Sequence, residues 1–205
     1  MRKKSIFILN ILIVVCTLAG VVMMFLGTGK DGLLVTNGFE NLRYYTVLSN
    51  LFSGCVAVAY LLTRTKRKAL LLWKYMSSTC VALTFLMIAL FFGPLYGWLN
   101  LYHGSNFMFH LVVPVLAVVE LFLMEGELTF KMSVQSAIPT FLYGTGYFVN
   151  LLINGIGQWP DTNDWYGFVN WGWGVAIGIF FGVILSSWGI ACLLRWTRQK
   201  VTTRK

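Results

Sequence analysis

Charge is scarce in this chain. Aspartate, glutamate, lysine and arginine supply 11% of its 205 residues, against about 25% in a soluble domain. With 58% hydrophobic residues and a mean hydropathy of +0.73, the composition excludes a soluble globular protein. Histidine is rarer still, at two residues, and no His, Asp and Glu cluster accompanies either, which argues against a metal enzyme. The four cysteines, Cys16, Cys55, Cys80 and Cys192, lie inside apolar runs without C-x-x-C or Cys/His spacing. They read as small buried hydrophobes rather than as disulfides or ligands. No G-x-S-x-G, P-loop or glycosidase-like carboxylate pair occurs. No cofactor and no metal are expected.

What the chain does have is long apolar runs. Six are predicted as helices, at about 5–27, 42–62, 69–92, 106–124, 132–153 and 169–194, most of them long enough to cross a hydrocarbon core of about 30 Å. The first follows Arg2-Lys3-Lys4 but exceeds the apolar core of a signal peptide and lacks an A-x-A site. Residues 195–205 form a basic tail. The fold class expected is therefore an all-α polytopic membrane protein, one six-helix domain over residues 1–205.

The net charge of +9 does not point to nucleic acid, because the basic residues flank the apolar runs. Of sixteen Lys and Arg, only Lys30 and Arg43 fall on the side opposite the termini. The positive-inside rule then places both termini in the cytoplasm. Trp98, Trp159, Trp165, Tyr166, Trp171 and Trp173 would form an aromatic belt at the outer face. Gly174, Gly178 and Gly182 repeat G-x-x-x-G, a spacing that predicts close helix contact, within the monomer rather than between copies.

Polar residues at membrane depth are costly and need a reason. Thr46, Ser49, Asn50 and Ser53 stand at i, i+3, i+4 and i+7, one face of the second span. His110 lies about one turn inside the fourth, sharing a face with Asn106 and His103. Thr46 and His110 both enter from the outer side, at similar depth. A hydroxyl and an imidazole at one level are what an activated nucleophile needs; the plainer alternatives are a threonine bonding its own helix and a histidine satisfied by a carbonyl. Tyr143, Tyr147, Asn150 and Asn154 make a second polar stripe, on the fifth span, with Asn150 and Asn154 as amide donors for an oxyanion or as interhelical hydrogen-bonding groups. Glu120 is ten residues beyond His110, about 15 Å further along the helix. That is too far for direct contact, and near the cytoplasmic end it can snorkel or be neutralised. Pro114 frees the His110 carbonyl from its helical bond.

Arg43-Tyr44-Tyr45-Thr46 with Ser49-Asn50-Leu51, His110-x-x-x-Pro114 and Glu120, helped by Gly97-Trp98-Leu99-Asn100 and Gly157-x-Trp159, resembles the androgen-induced six-helix membrane protein family. That family includes intramembrane hydrolases of fatty acid esters of hydroxy fatty acids. The resemblance implies a threonine nucleophile at Thr46, a histidine partner at His110, and a fatty-acid ester or other lipid substrate entering from the bilayer. Two features depart from the family pattern: the connection between the third and fourth spans is short, and the Ser49-Asn50 pair looks more like bacterial-type six-helix relatives. Ser49, Asn50, Asn150, Asn154 and Tyr147 are candidates for cavity lining or oxyanion stabilisation, and Glu120 and His103 for polar support. The leading expectation is a lipid-ester hydrolase. A small proton-coupled transporter using His110 and Glu120, and a non-catalytic lipid-binding protein, are the alternatives.

Overall fold

Prolines decide where the apolar helices change course. A proline has no N–H to donate, and its ring crowds the carbonyl four residues back. In the computed structural model, which describes residues 2–27, 38–63, 68–158 and 161–203, three of the four prolines sit just beyond such a break. Pro94 follows a π-turn over Ile88–Phe92, where Gly93 N–H reaches five residues back to the Ile88 carbonyl. Pro114 follows a second π-turn over Met108–Val112, closed by Val113 N–H to the Met108 carbonyl. Pro139 opens a new helix after a break at Ala137.

Among the described residues every regular element is helical. We label the main ones α1 (Arg2–Phe25), α2 (Tyr45–Thr63), α3 (Lys68–Phe92), α4 (Ser105–Leu123), α5 (Phe130–Ser136), α6 (Ile138–Asn154) and α7 (Trp173–Thr203). Five of these, α1 to α4 and α7, are long and apolar enough to cross a membrane. The run predicted as one helix over 132–153 is instead the pair α5 and α6, for the reason Pro139 gives. The predicted tail after residue 194 is not separate: α7 continues to Thr203, and Arg198 is buried along it. The basic turn at residues 64–67, Lys30, Trp159, Arg204 and Lys205 lie outside the described residues.

The two ends of the bundle differ in chemistry. At one end Arg2 donates to the carbonyls of Leu123 (2.5 Å) and Met124 (2.9 Å), and Arg198 donates to Met124 (2.6 Å). These contacts gather the start of α1 and the ends of α4 and α7, and most of the basic residues, at that end. At the other end the Tyr45 N–H donates to the Tyr166 hydroxyl at 2.9 Å, docking the loop between α6 and α7 on the start of α2. Apolar packing fills the length between: Leu71, Tyr75 and Leu121 near the basic end, Ile13, Ala57 and Val113 along the interior, and Met24, Tyr44, Val47 and Phe109 near the other.

Close packing falls on different glycines from those predicted. A Cβ on Gly20 would stand 2.5 Å from the Phe109 ring, and one on Gly54 would stand 2.9 Å from Thr17. By contrast, Cβ atoms on Gly174, Gly178 or Gly182 would meet nothing within 4 Å among the described residues. The expectation that this ladder packs inside the monomer is corrected: α7 turns that face outward and packs against α3 and α5 with another.

Candidate functional site

The first turn of α2 forms one wall of a cavity of about 100 Å³ at the end remote from Arg2. Tyr45 and Thr46 face it from α2, Thr84 and Met87 from α3, Tyr143 and Tyr147 from α6, and Phe180 and Ile184 from α7, while Tyr166 and Phe168 cover it from the loop. The lining is mostly apolar and aromatic, as is usual for small-molecule pockets. Its polar atoms are hydroxyls that are largely satisfied. Tyr45 Oη lies 2.7 Å from Thr140 Oγ1, which lies 3.0 Å from Ser187 Oγ. Tyr143 donates to the Arg43 carbonyl (2.6 Å) and accepts from Trp165 Nε1 (3.2 Å).

The covering loop is held by a residue that the sequence stripes do not include. Asp164, 4% exposed, accepts the Tyr147 hydroxyl on Oδ1 together with the Phe168 N–H (2.9 Å), and the Val169 N–H on Oδ2 (2.8 Å). Four aromatic rings close above it: Tyr147 meets Trp165 edge-on at 4.9 Å, and Tyr166 stacks on Phe168 at 5.1 Å. Burial, then the Tyr143 phenol beside it, pushes the Tyr166 phenol well above its ordinary range, so it serves as a neutral hydrogen-bonding group. A carboxylate directly before Trp165 and Tyr166 is the signal for Asp164 in the sequence.

Of Thr46, Ser49, Asn50 and Ser53, Thr46 is the one in the cavity lining, and among the described residues its hydroxyl makes no hydrogen bond. His110 is buried in the π-turn of α4, with Nδ1 2.6 Å from the Leu101 carbonyl and its ring edge-on to Tyr102 at 6.3 Å. A carbonyl only accepts, so Nδ1 carries the proton and Nε2 is the basic nitrogen of the neutral ring. No hydrogen bond joins Thr46 to His110 among the described residues, and His110 is absent from the cavity lining. What links their turns is Asn50, whose Nδ2 donates to the Thr46 carbonyl (2.7 Å) and to the Phe109 carbonyl (2.9 Å). The first turn of α2 and the His110 turn of α4 are therefore neighbours.

That same bridge defines what the other candidates do. Both Asn50 amide hydrogens are engaged, leaving none for an oxyanion, while its Oδ1 is buried without a partner. Ser49 donates to the Thr46 carbonyl (3.0 Å) and touches the Thr84 hydroxyl (3.1 Å), so it backs the wall rather than entering the cavity. Asn154 donates to Asn150 at 2.8 Å on the outside of α6, away from the lining. Tyr147 lines the cavity with its hydroxyl turned to Asp164. His103 is exposed in the bend before α4.

Glu120 belongs to a second polar site, near the basic end. Its Oε2 lies 2.7 Å from Lys74 Nζ and its Oε1 accepts from Asn10 Nδ2 at 2.6 Å; Lys74 also donates to Asn10 Oδ1 at 2.5 Å. Lys74, near the start of α3, is thus buried with Glu120 and Asn10. Matching depth was the signal, since all three stand within a few turns of the basic helix ends. No protein-family model, curated protein or solved structure matches this chain.

Proposed function

We propose that the protein crosses the membrane six times, α5 and α6 together making the fifth passage, with both termini in the cytoplasm, and that it hydrolyses a lipid ester at the outer leaflet. The observation that carries this reading is a threonine hydroxyl, Thr46, standing in the wall of an apolar cavity without a hydrogen-bond partner among the described residues. Thr46 Oγ1 attacks the ester carbonyl, and its proton passes to His110 Nε2. The alcohol leaves with that proton, and water then releases the acid from the acyl-threonine. Asn50, by tying the Thr46 and Phe109 turns, keeps the two side chains at one level. General-base help of this kind contributes about 10²–10⁴-fold. The test is labelling of the purified protein by a serine/threonine-hydrolase probe, mapped by peptide mass spectrometry. Modification at Thr46 that disappears in His110→Ala is the expected result; full labelling and esterase activity in Thr46→Ala would end the proposal.

A second reading is favoured by one specific observation. His110 is engaged by Leu101 and Tyr102 and makes no hydrogen bond to Thr46 among the described residues. On that reading the cavity binds a lipid without cleaving it, and native mass spectrometry would find the lipid retained intact. A proton-coupled carrier draws less support, because Glu120, its intramembrane carboxylate, is closed into contacts with Lys74 and Asn10.

A further inference from the structure

Arg43 is out of place by two independent criteria. Among the described residues it is the basic side chain at the end where α2 starts, remote from the basic end that Arg2 and Arg198 mark. It also lacks an acidic partner among the described residues. No carboxylate among the described residues lies within ion-pair distance of its guanidinium. Asp164, beside Trp165 in sequence, spends its oxygens on Tyr147, Phe168 and Val169, and Glu40 is exposed.

The guanidinium is nevertheless held in place. Its carbon lies 5.3 Å from the Tyr44 ring centre and 5.8 Å from that of Trp165, a collar of the kind that fixes arginine over aromatic faces. Of its five N–H donors, one makes a long contact of 3.4 Å to the Tyr44 hydroxyl, and Nε is buried with no partner. An oriented cation with unused donors, at a membrane surface, is built to receive an anion.

Its position relative to the cavity says what kind of molecule carries the anion. The Arg43 carbonyl accepts from Tyr143, Trp165 donates to Tyr143, and Tyr44 meets Tyr166 edge-on at 6.0 Å; Tyr143 and Tyr166 both line the cavity. Arg43 therefore stands at the cavity's rim. We propose that Arg43 binds the anionic head, carboxylate or phosphate, of a single-chain lipid whose apolar chain lies in the cavity beside Thr46. The proposal rests on the reading of this cavity as the lipid site and deepens it, by assigning the substrate a charged end.

Binding can be read without catalysis. Full-length protein carrying Thr46→Ala, in nanodiscs of zwitterionic lipid, is titrated with oleate, oleyl phosphate and oleyl alcohol. Expected is tighter binding of the anions than of the alcohol, with Arg43→Gln weakening the anions by about tenfold or more, Arg43→Lys restoring part of that, and the alcohol unmoved throughout. Which anion binds more tightly identifies the head group. Equal anion affinity with and without Arg43 overturns the proposal. So does an equal fall for all three ligands, which marks damage to the cavity and not loss of a charge. The labelling of Thr46 with the native threonine present is scored separately. Absent labelling with Arg43-dependent oleate binding sinks the hydrolase alone, and labelling with Arg43-independent binding sinks this inference alone.

Discussion

Lys74 Nζ lies 2.7 Å from Glu120 Oε2 with side chains only 2% and 1% exposed, joining α3 to α4 inside the bundle. Asn10 of α1 donates to one partner and accepts from the other, so three helices meet at one closed polar knot. The Tyr60 ring, 5.7 Å from Nζ, covers it from α2. Two opposite charges this deep are tolerated only because each satisfies the other.

Removing one charge should therefore cost far more than removing both. Lys74→Met or Glu120→Leu is expected to destabilise the protein by about 3–5 kcal/mol, because the survivor is left buried and unpaired. The double variant Lys74→Met with Glu120→Leu should recover most of that loss. Thermal unfolding in detergent, run as a double-mutant cycle, checks this. Additive single effects would show that the pair is not coupled.

Asp164 should govern the cover and leave the bundle intact. Asp164→Ala deprives the Phe168 and Val169 amides and the Tyr147 hydroxyl of their acceptor, a loss of about 1–3 kcal/mol per buried donor left unpaired. Amide hydrogen exchange at residues 165–170 is expected to accelerate by an order of magnitude or more, while exchange in α1 and α3 stays unchanged. Tyr147→Phe removes one of the three contacts and should have a fraction of the effect. Unaltered exchange in Asp164→Ala would mean the aromatic stack alone holds the loop.

Glycines give a paired comparison within one protein. Gly20→Ala forces a methyl to 2.5 Å from the Phe109 ring, overpacking that costs about 1–3 kcal/mol. It should also disturb the Phe109 carbonyl that Asn50 holds. Gly178→Ala meets open space and should be neutral or stabilising by up to about 1 kcal/mol. If both variants lose stability alike in a monomeric detergent preparation, the placement of α7 is wrong.

The legible part of this molecule was what periodicity and depth encode. The boundaries of α1 to α4 follow the apolar runs closely, and the i, i+3, i+4 spacing of Thr46, Ser49 and Asn50 does place them on the side of α2 that faces the cavity wall and α4. What spacing could not give is rotation and partner choice. Gly174, Gly178 and Gly182 satisfy a packing pattern but α7 presents another face inward. Asn50 has the side chain of an oxyanion donor, yet its amide is consumed by two carbonyls. Lys74 was legible as a charge near a helix start, but its pairing with Glu120 depends on which helices are adjacent, and only the tertiary structure supplies that.

His110 offers the sharpest test of the proposed chemistry, because its tautomer is fixed by one contact. The Leu101 carbonyl, 2.6 Å from Nδ1, requires a proton there and leaves Nε2 as the base. The chain has two histidines, so His103→Gln yields a single imidazole whose nitrogen-15 shifts are read without ambiguity. At neutral pH the expected spectrum has a protonated Nδ1 and an unprotonated Nε2. Pro114→Ala adds the N–H that the π-turn at Met108–Val112 does without, so the His110 carbonyl regains its helical donor. Relaxation to a regular turn rotates residue 110 by up to about 100°. The Leu101 bond should then be lost, the tautomers should mix, and labelling at Thr46 should fall with them. A protonated Nε2 in the His103→Gln protein would remove His110 as the base that takes the threonine proton.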